Sequence, residues 1–342
     1  MSKKVATISG DGVGPELVEC MLDVVDATCV DIEFIQIEAG AAWWEKNGGT
    51  SLIPDESWSV LDEADVCFKS PTTTPGGPGS PKSVAVSIRQ RFNLYANVRP
   101  IKTFPNTNPP LGNVDFVCVR EGTEGLYAGK EMQLDDNMYI ALRLITRDAC
   151  NRVARYAFEE ADRRGWKTVV AIHKSNILKQ TCGSFLKEVN NVSVEYPEIE
   201  VWEYHIDNIA QQLIKNPQIF NQSILLSTNL FMDVISEECS GLVGSIGLIY
   251  SSNIGDNYAM FEPAHGSAPK YAGMDKVNPV ATILAGALML EYLGEKKASE
   301  NIFTAVDRVI AEGSVLTYDL GGSAKSSEMT REIINKLHTT QA

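Results

Sequence analysis

The sequence predicts a layered α/β protein. Runs with strand character alternate with runs of helical periodicity along most of the 342 residues. Apolar residues (44 %) and charged residues (22 %) stand in the proportion of a globular chain that folds in water. The length allows two lobes, or one large domain near the upper size limit, with a well-buried core.

Taken in order, "KKVATISG" reads as a buried strand that ends in "GDGVGPE" and feeds the amphipathic helix "LVECMLDVVDAT". These glycines resemble a dinucleotide loop, but they run G-x-G-x-G-P where that loop needs G-x-G-x-x-G, so the spacing fails. Further strands are expected at "DIEFIQIEAG", "ADVCFKS", "VDFVCVRE", "YIALRLIT", "KTVVAIHK", "IEVWEYH" and "QSILLST". Helices are expected at "RDACNRVARYAFEEADRRG", "NIAQQLIKN", "DVISEECSGLVGSIG" and the long apolar run after Asn278. No internal repeat, low-complexity tract or long linker marks a boundary, so two lobes require the chain to pass from one to the other and back.

Composition excludes several classes. No apolar stretch reaches the roughly 18 to 20 residues that span a bilayer, and "MSKKVATISG" lacks the apolar core of a secretory signal, which points to the cytoplasm. Seven dispersed cysteines without a C-x-x-C pair or a nearby His at ligand spacing read as reduced structural thiols, not as zinc ligands or disulfides. A formal charge of −14 argues against nucleic acid or an anionic membrane as partner. An anion site must then be a local cluster of Arg and Lys.

Three arginines are candidates for that cluster. Arg89 lies on a predicted helix, Arg99 in an extended segment before a proline, and Arg120 at the end of a strand. Guanidinium groups at element ends can pair bidentately with several carboxylates, although each alone reads more readily as a surface residue. Asp233 and Glu237 are four apart on a predicted helix and share a face, as a solvated acidic patch or as ligands for Mg²⁺ or Mn²⁺. Asp207 is a third acidic candidate. Tyr127 sits in a glycine-bracketed loop and Lys174 at a strand end. Beside carboxylates and a metal, such a lysine can move protons near neutrality and such a phenol can deliver one. "HGSAPKYAGMDKVNP" packs turn residues directly before a helix, as a socket for something anionic or flat would.

Taken together, the ordered motifs resemble the β-decarboxylating dehydrogenases, the family of isocitrate, homoisocitrate and 3-isopropylmalate dehydrogenases. The matching pieces are "GDGVGPE", "SPTTTPGGPGSPKSVAVSIRQRFNLYANVRP", "VREGTEGLYAG", "HKSNILKQTCGSF", "DNIAQQLI", "NLFMDVISE", "GSIGL", "SSNIG", "FEPAHGSAPKYAGMDKVNP" and "YDLGGSA", spread from end to end. The resemblance implies an isopropylmalate dehydrogenase-like mixed sheet in two lobes without a Rossmann crossing. Residues 1–96 and 253–342 would form a large, cofactor-binding lobe, and 97–252 a small lobe with the dimer interface. Ser83, Arg89, Arg99 and Arg120 would bind substrate. Tyr127 and Lys174 would be catalytic, with Lys174 donated by the partner of a homodimer. Asp233 and Glu237, joined by Asp207 of the other subunit, would hold Mg²⁺ or Mn²⁺, whose Lewis acidity suits loss of CO₂.

For the cofactor, the resemblance implies contacts from Thr73, Glu262, His265, Gly266, Lys270, Tyr271, Asn278 and Tyr318. NAD members of the family commonly carry an acidic and an aliphatic residue where Lys270 and Tyr271 stand here. A cation and a phenol suit a 2′-phosphate, so NADP is expected, with NAD possible. An arginine that often follows the tyrosine is missing, with Gly322 near its place. The glycine-rich loop before Ser83 points to isocitrate, yet Ala85 stands where isocitrate enzymes carry Asn, and "KSVAV" is similar to some homoisocitrate enzymes. Two further departures are Glu237, where most members have Asp, and Met232, where most have Gly. A non-catalytic regulatory subunit is the competing reading, although such subunits usually lose part of this charged set.

Overall fold

The computed structural model describes residues 2–77 and 79–341. Its strands are β1 (Lys3–Ile8), β2 (Ile32–Ile37), β3 (Val66–Lys69), β4 (Ala96–Lys102), β5 (Asp115–Glu121), β6 (Glu131–Gln133), β7 (Tyr139–Ala141), β8 (Thr168–His173), β9 (Glu200–His205), β10 (Ser223–Ser227), β11 (Tyr250–Ile254) and β12 (Ala259–Pro263). The helices are α1 (Gly14–Asp26), α2 (Ala41–Asn47), α3 (Asp55–Glu63), α4 (Val84–Arg91), α5 (Arg147–Arg164), α6 (Thr181–Ser193), α7 (Ile206–Lys215), α8 (Asn229–Leu242), α9 (Val280–Tyr292), α10 (Lys296–Glu312) and α11 (Ser326–Gln341).

Ten strands form one mixed sheet in the order β2-β1-β3-β12-β11-β4-β5-β10-β8-β9, and β6 and β7 form a separate hairpin. The strands β2, β1, β3 and β12 run parallel, as do β5, β10, β8 and β9. Between these blocks, β11 is antiparallel to both β12 and β4, and β4 is antiparallel to β5. The two parallel blocks therefore point in opposite directions. No G-x-G-x-x-G crossing is needed, in line with the expected fold class.

The parallel strands β1, β8 and β10 were legible because they are apolar runs buried on both faces over most of their length. The centre was not. β11 and β12 are built from "YSSNI" and "AMFEP", whose Ser, Asn, Glu and Pro mask any strand period, yet nearly every side chain in them is buried. Helix α9 is apolar around most of its circumference and lies in the largest core cluster, with Phe68, Phe116 and Phe261. Met232, the departure from the family's glycine, is fully buried in that cluster and fills volume there.

The N-terminal glycine loop has a structural job. Asp11 N donates to Pro71 O (2.8 Å) and Val13 N to Ser267 O (2.9 Å), so this loop ties two site loops together. Gly10 and Gly12 have φ of +73° and +61°, and a Cβ on either would lie 2.1 Å from Pro71 O or 2.0 Å from Ser267 O. The buried Asp11 carboxylate completes the bracket, accepting from the backbone N–H groups of Ala41, Ala42 and Thr73.

Candidate active site

A crevice of ≈ 270 Å³ opens at the middle of the sheet, and Ser83, Arg89, Arg99, Arg120, Tyr127, Asp233 and Glu262 all line it. Helix α4 starts there because Ser83 caps it, its hydroxyl oxygen accepting from Val86 N at 3.2 Å. That cap points Ala85, Val86 and Arg89 at the crevice. Arg99 enters from β4 and Arg120 from the end of β5. All three guanidiniums are at least nine-tenths buried.

Each arginine has a carboxylate partner. Arg89 Nη2 donates to Glu262 Oε1 at 2.9 Å, Arg99 Nη1 to Glu237 Oε1 at 2.5 Å, and Arg120 Nη1 to Asp233. Glu262 also accepts from Lys69 Nζ at 2.8 Å. Burial would raise the Glu262 pKa, but Lys69 and Arg89 outweigh it and hold the carboxyl far below its ordinary range. Burial, then the nearby Arg89 charge, pushes the Arg120 guanidinium down to about 10 against the pull of Asp233. It stays cationic at neutral pH.

Tyr127 donates its phenolic proton to Asp233 and lies under the Arg120 guanidinium, 4.8 Å from its ring centroid. Burial first, and then the bond to Asp233, raise its pKa. The group is therefore set up to hold a proton and hand it over.

A second cavity of ≈ 400 Å³ adjoins the first at His265 and Gly266 and is lined also by Tyr271, Asn278, Tyr318 and Asp319. Asn278 is fixed at the start of α9, its oxygen accepting from Val280 N at 3.0 Å and its amide donating to Asp319 at 2.9 Å. Burial lowers the pKa of His265, so the ring is neutral near pH 7. Its Nδ1 faces Gly266 O at 3.1 Å, while the buried Nε2 has no partner. An unpartnered ring nitrogen on a residue that lines both cavities suits a ligand hydroxyl or amide, and Gly266 leaves open space where a Cβ would stand. Outside the cavity, Lys270 Nζ lies 4.8 Å over the Tyr271 ring, and Lys276 Nζ 4.8 Å over Tyr318. The residues fit an anionic nucleotide.

Several expected residues lie elsewhere. Thr73 lines neither cavity, and its hydroxyl is engaged with Ser267 at 2.7 Å. Glu262 sits under the first crevice and not in the second cavity, because strand register sets it beside Lys69. Glu237 is half-exposed at the crevice edge, bonded to Arg99. Lys174 and Asp207 lie at the far ends of β8 and β9 and pair with each other at 2.5 Å, a contact that lowers the Asp207 pKa. Among the described residues no three metal-ligating side chains gather, and the accessible carboxylates beside the buried arginines are those of Asp233 and Glu237. Residues that sequence reasoning missed are Lys69, Asn97, Asn229, Asn253 and Lys276. Buried carboxamides leave no periodic signal, although Asn97, Asn229 and Asn253 all fall inside quoted motifs.

Residues 4–336 match the model of the family described as Isocitrate/isopropylmalate dehydrogenase. The chain is 41% identical over 337 residues to the 3-isopropylmalate dehydrogenase of Methanothermobacter thermautotrophicus, covering 98% of this chain and 99% of that one. It is also 41% identical over 343 residues to the mitochondrial isocitrate dehydrogenase [NAD] catalytic subunit 6 of Arabidopsis thaliana, covering 98% and 88%. A crystal structure of isocitrate dehydrogenase from Methylococcus capsulatus superposes with a TM-score of 0.92 at 40% identity, covering 98% and 99%.

Proposed function

Because the chain belongs to the isocitrate/isopropylmalate dehydrogenase family, we propose that it oxidises and decarboxylates isocitrate to 2-oxoglutarate with NADP as hydride acceptor. The observation that carries the reading is three buried guanidiniums facing one crevice in a chain of formal charge −14. Glu262, Glu237 and Asp233 pair with these arginines but, with Lys69 counted, leave one net positive charge, and Glu237 and Asp233 are accessible, so an anion with several carboxylates can take their places. Ser83 adds a hydroxyl whose oxygen already accepts from the backbone, leaving its proton for a third carboxylate, and Thr72 and Thr74 line the same wall. A second reading, homoisocitrate or 3-isopropylmalate, is favoured by Ala85 and Val86, which give that wall an aliphatic stretch.

In the proposed reaction Arg89, Arg99 and Arg120 orient the substrate carboxylates, and Tyr127 returns a proton to the carbon that loses CO₂. Lys174 of a second copy takes the proton of the substrate hydroxyl. Mg²⁺ or Mn²⁺, when held by Asp233 with Asp207 of that copy and with Glu237 close by, supplies Lewis-acid stabilisation of the developing negative charge. A homodimer is supported by Lys174 and Asp207 lying outside the lining of the crevice and by the exposed apolar side chains Met132, Leu134 and Tyr139 around the β6–β7 hairpin. The lobes would divide at residues 96/97 and 252/253. NADP is supported by Lys270, Lys276, Tyr271 and Tyr318, because among the described residues neither lysine has a carboxylate in ion-pair range.

The deciding experiment measures initial rates at 340 nm on isocitrate, homoisocitrate and 3-isopropylmalate, each with NADP and NAD plus Mg²⁺. Fastest turnover of isocitrate with NADP is expected. Faster turnover of another acid moves the reading to that substrate, and no turnover of any would leave the regulatory-subunit alternative.

A further inference from the structure

We infer that Asn253 and Asn229 are positioning residues that aim Arg89 and Arg120 into the crevice without cancelling their charge. The inference rests on the reading of the crevice as a carboxylate site. The two arginines come from different elements, yet each is held by the same device. Arg89 Nε donates to Asn253 Oδ1 at 2.7 Å, and Arg120 Nε donates to Asn229 Oδ1 at 2.8 Å. Both carboxamides are essentially inaccessible to solvent.

Neither amide can turn over. Asn253 Nδ2 donates to Met260 O (3.3 Å) and Glu262 Oε1 (2.9 Å), and Asn229 Nδ2 donates to Glu124 O (3.0 Å). Those partners only accept, so each Oδ1 must face the arginine. Asn97 Nδ2 adds a bond to Asn253 Oδ1 at 2.9 Å, stiffening that side further. With Nε bound to Asn253 and Nη2 to Glu262, the Arg89 fork is fixed along one edge, and among the described residues Nη1 makes no hydrogen bond. Arg99 is the contrast: its Nε is buried without a partner, and it is held through Nη1 alone by Ser236 and Glu237.

The choice of carboxamide has a physical consequence. An aspartate would accept from Nε at least as strongly. It would also add a negative charge beside each arginine, and the crevice is nearly balanced already. Arg89, Arg99, Arg120 and Lys69 face Glu237, Asp233 and Glu262, which leaves a single net positive charge. One Asn→Asp change removes it. A neutral acceptor fixes direction and leaves the charge for the ligand.

The test uses the full chain with Asn253→Asp and Asn229→Asp, which are nearly isosteric, and Asn253→Ser and Asn229→Ser as a second pair. L-malate, the hydroxy-dicarboxylate core, is titrated by calorimetry. KM and kcat are measured on whichever hydroxy acid the wild type turns over, and Tm on every variant. The Asp variants are expected to bind malate at least about tenfold more weakly and to raise KM by a similar factor, with kcat within about threefold. The Ser variants, which lose aim but keep charge, should fall between. Malate affinity within about twofold of wild type in both Asp variants overturns the inference, as does a loss that simply tracks Tm in Asp and Ser variants alike. If the wild type binds malate but turns over none of the three acids, the proposed function fails while calorimetry still decides this point. If it binds no malate, the inference falls too.

Discussion

Exchanging Lys270 for Asp and Tyr271 for Ile should reverse the nucleotide preference. Lys270 Nζ stands 4.8 Å over the Tyr271 ring, whose centroid is 6.2 Å from that of Tyr318, so the two side chains flank one point at the mouth of the second cavity. Losing the amine removes one charge-assisted hydrogen bond, about 1.5 kcal/mol at an exposed position, and losing the phenol removes about 1 kcal/mol more. The new carboxylate repels a phosphate at this wet site by about 1 kcal/mol. Together these give about 3–4 kcal/mol, or about 10²–10³-fold in the ratio of kcat/KM for NADP to that for NAD. Lys276 and Tyr318 remain, which keeps the change from being larger. Initial rates at 340 nm with each nucleotide measure the ratio, and Tm confirms that the variant is folded. Because both lysines are exposed, the wild-type preference should also shrink as salt rises. A ratio unchanged within about threefold in a folded variant would refute the assignment of this socket to a 2′-phosphate.

Three other outcomes are expected. Tyr127→Phe removes the phenol that bonds Asp233 and should slow overall decarboxylation by about 10²-fold while sparing reduction of the oxo intermediate; equal loss of both would remove it as the proton donor. Glu262→Gln leaves Lys69 and Arg89 without their counter-charge, a cost of about 3–5 kcal/mol. At about 2.1 cal/mol/K per residue over 342 residues, that lowers Tm by about 4–7 °C. Since the folded Glu262 pKa lies below its unfolded value of about 4.3, its stabilisation is present above that pH and fades as pH falls toward the folded value. The gap in Tm between wild type and variant should therefore narrow below about pH 4, and a constant gap would contradict the ion pairing. Finally, mixing inactive Lys174→Met and Tyr127→Phe chains after denaturation and refolding should restore up to about a quarter of wild-type activity if sites are shared between two copies. No recovery would place both residues in one chain's site.

Much of this molecule was legible in the chain because its outer strands and long helices obey simple periods. Strands such as "TVVAIH" and "SILLS" are apolar on both faces, and α5 carries a clear stripe between Thr146 and Gly165 caps. The centre of the sheet obeys no such period, since β4, β11 and β12 carry Asn97, Arg99, Asn253 and Glu262 inward. A buried polar side chain in a strand reads as a break unless its partner is known, and these partners are distant in sequence. Arg89 and Asn253 are 164 residues apart, and Lys69 and Glu262 are 193 apart. The same reason explains why Arg89, Arg99, Arg120, Tyr127 and Asp233 stood as separate candidates, each with an ordinary alternative, until the family resemblance joined them into one site. It also explains why Lys69 and the two carboxamides did not emerge at all.

The pairing inside the crevice says how a ligand must enter it. Each buried guanidinium is in contact with a carboxylate of its own chain. Two of these carboxylates are accessible at the crevice edge, with Asp233 26% and Glu237 48% exposed at the side chain, whereas Glu262 is sealed beneath it. On the proposed function, a substrate carboxylate would displace Asp233 from Arg120 and Glu237 from Arg99, but not the sealed Glu262 from Arg89. Arg89 keeps its partner and presents its free Nη1, so it can act as a fixed anchor while the other two arginines exchange one carboxylate for another. The displaced Asp233 and Glu237 lie on one face of α8, where their repulsion favours a positive charge arriving in the same event. Binding is then an exchange of ion pairs at nearly constant local charge, which is how a chain this acidic can hold so cationic a site in its interior.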